Sequence, residues 1–177
     1  MFKKNKMKAT IWGESFWNLM FDIAHFYINC GCSLTKKKLL QFYEMCAFVL
    51  PCESCRKHYV KYSRNSDYFN KQTCKLSKTD IGIHFLFPLK NAINRRLGKP
   101  EMQCKTYIEK RKLFPFLGSY KILETLFEII ENELQHDVKL SPQRVVEWRS
   151  ITLSLVEKIP NYTKISFNNL THVEDTM

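Results

Sequence analysis

The sequence predicts an all-α protein: a four-helix bundle with a short fifth helix, followed by a C-terminal helical extension. Three observations carry this. Apolar residues recur at intervals of three and four along several segments. No useful length of the alternating apolar and polar pattern of a half-buried strand is present. Residues that start or stop helices punctuate the segments, among them Thr35, Pro51, Gly98 and the Ser141-Pro142 pair.

The first helix is expected from Gly13 to about Asn29, with Trp17, Met20, Ala24 and Tyr27 on one stripe. Cys30-Gly31-Cys32 breaks it, and Thr35 can cap a second helix that carries Leu39, Phe42, Tyr43, Cys46 and Val49 and stops at Pro51. A third helix runs from Glu53 to about Arg64, with Cys52 near its N-cap. The polar run from Asn65 to Lys78 reads as a loop. Thr79 and Asp80 offer a cap for a fourth helix through Phe85, Leu89, Ile93 and Leu97, ending at Gly98. Pro88 predicts a kink or a late start in it. One short helix is expected over Cys104 to Arg111, then two more over Ser119 to His136 and Pro142 to Ile159, the last capped by Ser141 with proline at its first position. The polar tail from Asn161 is expected to fray. These elements divide into a domain over residues 1–117 and an extension over 118–177.

A chain of 177 residues, 45% apolar and 14% aromatic, buries a real core and excludes wholesale disorder. The formal charge of +11 raises nucleic acid or an anionic membrane as partners. The basic residues fall in several short stretches with no nucleic-acid module around them, so a solvated basic face is expected and nucleic acid is not. No apolar run is long enough for a membrane span, and the N-terminus lacks the apolar region of a secretory signal. The expectation is a reducing compartment, where seven cysteines point to catalysis or metal binding more than to structural disulfides.

Attention falls on PCESCRKHY, where Cys52 and Cys55 span the first turn of a helix. A zinc site would need two more ligands. His58, Cys74 and Cys104 are the nearest candidates, and none supplies a second chelating pair. A thioredoxin-like site needs a preceding strand, and here a helix precedes. Disulfide exchange in a helical frame fits better: the unpaired amides and positive end of the helix favour a thiolate, and Arg56 and Lys57 are expected to add positive potential. His58, three residues after Cys55, shares its face. A flavin is a suitable electron acceptor for such a dithiol, and the chain carries aromatic, histidine and basic residues to surround one.

Three stretches together resemble the Erv/ALR family of FAD-dependent sulfhydryl oxidases, most closely those of large DNA viruses: WGESFWNLMFDIAHFY (Trp12 to Tyr27), LPCESCRKH (Leu50 to His58) and KNAINRRLGKP (Lys90 to Pro100). The resemblance covers roughly Thr10 to Lys112 and implies FAD as cofactor. It makes Cys55 the flavin-proximal cysteine and Cys52 the partner that exchanges with an incoming dithiol. It implies that Trp17, Tyr27 and His58 line the flavin, and that Asn91, Asn94 and Lys99 belong to the cofactor-binding segment, with Gly13 in the opening tryptophan motif. Asn91 and Asn94 are three apart on one helix face and so can face one ligand, though taken alone they read first as residues with a helix-end hydrogen-bonding role. Two cofactor positions depart from the family pattern, Lys90 and Met20 standing where the family has histidine; Lys90 could instead reach a phosphate. Cys104 matches one end of a family disulfide whose other end is Lys121 here. Cys30 and Cys32 read either as a shuttle dithiol or as incidental thiols.

The resemblance implies a thiol oxidase that forms disulfides in a protein dithiol substrate, with a viral thioredoxin-like carrier as one candidate, and passes electrons to oxygen to give hydrogen peroxide. It also implies a homodimer acting in the cytoplasm of an infected cell or in association with the virion. The rival expectations are a non-enzymatic helical scaffold, with or without zinc, and a flavin-free thiol carrier. In the extension, Leu123, Leu126, Phe127 and Ile130 form an apolar stripe suited to a core, a dimer contact or a substrate platform.

Overall fold

The computed structural model describes residues 9–27, 33–64, 81–106, 109, 118–137, 139–159 and 162. Every regular element among them is helical: α1 (Ala9–Phe26), α2 (Ser33–Val49), α3 (Glu53–Arg64), a π-helical stretch (Gly82–Leu86) running into α4 (Phe87–Arg96), α5 (Tyr120–Leu134) and α6 (Pro142–Val156). Residues 104–106 and 109, in the short helix expected there, are helical too.

Helix α1 begins earlier than expected because nothing between Ala9 and Gly13 stops it. Its buried stripe is Trp12, Phe16, Leu19, Met20, Ile23 and Ala24, while Trp17 and Tyr27 sit half-buried at its margin. Helix α2 starts at Ser33, so Thr35 lies inside the first turn and is not its cap. Helix α3 has the expected bounds. Pro88 falls in the first turn of α4, where its missing N–H costs nothing, and the preceding residues take the wider π form. At the other end of α4, Gly98 has a φ of 65°. The Lys99 amide donates to the Asn94 carbonyl at 2.9 Å and the Gly98 amide to that of Arg95 at 3.2 Å, the paired closure that stops a helix cleanly. Ser141 Oγ accepts from the Arg144 amide at 3.5 Å, the cap expected for the last helix, and Ser119, expected as the first residue of the helix before it, is its cap as well, Oγ accepting from the Ile122 amide at 3.3 Å. The Thr79-Asp80 cap, Cys30-Gly31-Cys32 and Cys74 lie outside the described residues.

The C-terminal helices join the same core as the bundle. Trp148 of α6 is completely buried. It stacks on Phe16 of α1 at 5.6 Å and Phe42 of α2 at 6.0 Å, and meets Phe127 of α5 edge-on at 5.7 Å. Leu123, Leu126, Phe127 and Ile130 are all buried, so their stripe is core and offers neither a dimer contact nor a substrate platform. The expected fraying does not reach Tyr162, which is buried. Its hydroxyl donates to Asp22 Oδ2 at 2.8 Å, and the same oxygen accepts from the Gly118 amide at 2.7 Å. A Cβ on Gly118 would lie 1.8 Å from the Tyr162 hydroxyl oxygen, so only glycine fits this clasp. No described helix is long and apolar enough to cross a membrane.

Candidate active site

Helix α2 ends against buried Leu50 and Pro51, and the chain turns directly into α3. Cys52 is the N-cap of α3. Its carbonyl accepts from the Arg56 amide at 2.9 Å, and its sulfur accepts from the Cys55 amide at 3.3 Å, as a capping oxygen would. Ser54 Oγ lies 3.1 Å from the same sulfur. Partial burial works to raise the Cys52 pKa, but hydrogen bonds from the Cys55 and Ser54 side chains, then from their amides, outweigh it and hold the thiol below its ordinary value. Cys55 moves the other way, to about 12. Burial is the first cause, followed by its hydrogen bond to Cys52 and repulsion from the Cys52 charge; Ser54 and Arg96 offset part of this. Of the reduced pair, Cys52 is therefore the first to ionise and Cys55 the one that keeps its proton longer.

The expectation that Arg56 and Lys57 supply the thiolate field is corrected by their contacts. Arg56 is buried; it donates to the Leu50 carbonyl at 2.6 Å and forms an ion pair with Asp137. Lys57 pairs with Glu53 at 3.0 Å. Arg56 fixes the turn that presents Cys52, and hydrogen bonds from the Cys55 and Ser54 side chains, then from their amides, favour the charge.

Cys55 shares a helical stripe with His58 and Tyr62, three and seven residues on. These two residues, with Lys61, form the α3 wall of a cleft of about 300 Å³, opposite Leu89, Ala92, Ile93 and Arg96 of α4. The Arg96 guanidinium nitrogen sits 2.9 Å from His58 Nδ1 and 3.1 Å from Nε2. Sequence reasoning missed Tyr62 and Arg96; their signals were the i+7 spacing from Cys55 and the RR pair inside the third motif.

The other predicted positions spread around α4. Lys90 Nζ lies 4.4 Å above the Trp17 ring, which stacks on Phe21 at 5.7 Å. Burial first, then the Lys99 charge, lowers the Lys90 pKa to about 8, against the pull of Glu14. Gly13, one turn before Trp17, is half-buried, and a Cβ there would meet no atom within 4 Å. Asn91 and Asn94 turn to the segment after α4: Asn91 Nδ2 donates to the Met102 carbonyl at 2.7 Å, the Met102 amide donates back to Oδ1 at 2.9 Å, and Asn94 Nδ2 donates to the Pro100 carbonyl at 3.2 Å. Met20 is buried, its carbonyl accepting from the Tyr43 hydroxyl at 2.7 Å. Tyr27 reaches the extension, donating to the Leu155 carbonyl at 2.6 Å. The structure thus brings Cys52, Cys55 and His58 together, and separately Trp17, Lys90 and Lys99. Met20, Tyr27, Asn91 and Asn94 face neighbours of their own.

The donor set suits a flavin dinucleotide. A cleft with apolar and aromatic walls adjoins the proton-bearing cysteine, and a half-buried lysine over an indole, with a second lysine near it, can meet phosphates.

A helical frame presenting a capped C-x-x-C thiolate beside such a cleft defines a helical thiol–disulfide redox protein. The chain belongs to the Erv1/Alr family, whose model matches residues 14–112. It is similar to a putative FAD-linked sulfhydryl oxidase, 096R, of Invertebrate iridescent virus 3, at 26% identity over 108 residues, 61% of this chain and 70% of that one. Another such protein, 347L of Invertebrate iridescent virus 6, is 29% identical over 91 residues, covering 51% and 82% of the two chains. The mitochondrial FAD-linked sulfhydryl oxidase ERV1 of Saccharomyces cerevisiae is 28% identical over 99 residues, 56% of this chain and 49% of that one. No solved structure gives a match.

Proposed function

We propose that this protein is an FAD-dependent sulfhydryl oxidase that makes disulfides in protein dithiols. The observation that carries the reading is the geometry of the pair: the Cys52 sulfur caps α3, accepting from the Cys55 amide with its pKa lowered, while Cys55, its pKa raised, lies on the stripe that faces the cleft. In the oxidised enzyme a substrate thiolate bonds to Cys52 Sγ; the Cys52–Cys55 bond breaks, and Cys55 leaves and takes up a proton. The second substrate thiolate then attacks the substrate sulfur of the mixed disulfide, and Cys52 leaves as the thiolate. Its lowered pKa makes it the better leaving group, which favours release of the substrate disulfide. The chemistry that bound FAD supplies is acceptance of two electrons from the Cys52–Cys55 dithiol and their delivery to oxygen, giving hydrogen peroxide. His58 and Arg96 link the two walls of the cleft, and Trp17, Lys90 and Lys99 offer an aromatic face and cations to the rest of the cofactor.

The substrate is a protein dithiol, for which a thioredoxin-like carrier is a candidate. Action in the cytoplasm of an infected cell or in the virion is part of the same reading. A homodimer belongs to the same reading and must use a surface other than the buried α5 stripe. Purified protein should show the flavin band near about 450 nm, bleach when dithiothreitol is added without oxygen, and form peroxide when oxygen returns. Cys55→Ser should keep the band and lose the bleaching. A colourless protein with no oxygen uptake would overturn the reading.

A further inference from the structure

The flank of α3 away from the flavin-side cleft carries a second, larger concavity of about 540 Å³, floored by Ala47, Phe48 and Val60. Its rim is cationic: Arg56, Lys57, Lys61, Arg64 and Lys139 line it, and Arg144 of α6 lies 3.7 Å over the Phe48 ring. The acids paired with these cations are Asp137, bound to Arg56, and Glu53, which one carboxylate oxygen shares between Lys57 at 3.0 Å and Lys139 at 2.6 Å. Lys61, Arg64 and Arg144 make no ion pair among the described residues, so the groove has a large positive excess. Glu53, the residue after Cys52, holds two of its lining cations, Lys57 and Lys139, which ties that end of the groove to the cysteine pair.

We propose that this groove docks an acidic segment flanking the cysteine pair of the protein substrate; the chemistry rests on the oxidase reading, the binding does not. Charge complementarity names the occupant, and the apolar floor accepts an aliphatic or aromatic residue within it. Lys57 to Arg64 lie roughly 8 to 18 Å along the helix from Cys52 at about 1.5 Å per residue. An extended peptide covers that span in about two to five residues, so the acids belong about two to five positions from the reacting cysteine.

Two C-x-x-C peptides, identical except for glutamates or lysines at those positions, test this. Binding is read by fluorescence anisotropy with serine replacing both peptide cysteines, and turnover by oxygen uptake with the reduced peptides. The acidic peptide should bind and turn over on the order of tenfold better at low salt, with the gap shrinking as salt screens it. The double variant Arg64→Glu/Arg144→Glu should erase the preference and leave dithiothreitol turnover unchanged. Both side chains are exposed, and glutamate at position 144 completes a capping box with Ser141, so folding is spared. Equal binding of the two peptides, or a preference that survives the double variant, would sink the docking proposal while dithiothreitol turnover upheld the oxidase. Charge-dependent binding without oxidation of any thiol would support docking and sink the oxidase. Duplex DNA displacing the acidic peptide through Arg64 and Arg144 would assign the groove to nucleic acid and overturn the proposal.

Discussion

Replacing Arg56 with methionine separates its role as a strut from the role of charge donor that its position after C-x-x-C suggests. Methionine keeps the aliphatic stem and removes the guanidinium. Breaking a fully buried ion pair by deleting one partner costs about 3–5 kcal/mol. Here the side chains of Arg56 and Asp137 are 9% and 16% exposed, and Asp137 Oδ1 still accepts from the Lys139 amide at 3.0 Å, so the lower part of that range applies. The orphaned Leu50 carbonyl adds roughly 1 kcal/mol. The expected loss is about 4 kcal/mol, or roughly 8–16 °C in Tm for a chain of this size. Urea unfolding followed by circular dichroism measures it, and Asp137→Asn with the double variant completes a cycle in which the two losses are not additive. Iodoacetamide alkylation of Cys52 in the folded variant should stay within about threefold of wild type, because the capping bonds are untouched. A loss below about 1 kcal/mol with Cys52 alkylation slowed tenfold would show that Arg56 serves the thiolate and refute the strut.

Alkylation against pH should find Cys52 reactive below the ordinary thiol range and Cys55 protected until the pH nears 12; in Cys52→Ser the opposing charge is gone, so Cys55 should react at lower pH. Parallel titration of the two would contradict the charge assignment. Arg56 and an amide depress the Asp137 pKa against its burial, so its contribution to stability is complete above the unfolded carboxyl value near about 3.9 and is lost as pH falls through the lower folded value. Asp137→Asn should flatten that part of the acid unfolding curve. Burial lowers Lys90 to about 8 from 10.5, so wild-type stability should rise between those pH values and that rise should be missing in Lys90→Met. The same variant should bind FAD roughly fivefold more weakly in equilibrium dialysis if the ammonium meets the cofactor. Asp22→Ala orphans the Gly118 amide and Tyr162 hydroxyl and should cost about 3 kcal/mol in urea unfolding; a near-neutral result would remove the clasp from the fold's stabilising contacts.

What was readable in the sequence was what local chemistry decides. The bounds of α3, the serine cap at Ser141, and the left-handed closure at Gly98 each follow from a few adjacent residues. The position of Cys52 at the N-terminus of α3 was readable for the same reason. Long-range partners were hidden. Arg56 looked like a free cation because Asp137 stands 81 residues away. Tyr162 looked like tail because its acceptor, Asp22, is 140 residues upstream. Asn91 and Asn94 sit on one face as expected, yet their amides turn to Met102 and Pro100, a use that spacing alone could not separate from ligand binding. Thr35 is a good cap residue, and the helix simply starts before it.

Trp148 has a consequence for how this chain is compared with its relatives. Phe16 and Phe42 lie within residues 14–112, the part that the family shares, yet their stacking partner lies outside it. Substitution at those two positions is constrained by a ring that relatives lacking α6 do not possess. In a set of close homologues, positions 16, 42 and 148 should covary as one unit, and grafting a relative's residues onto 16 or 42 should be tolerated only when 148 changes with them.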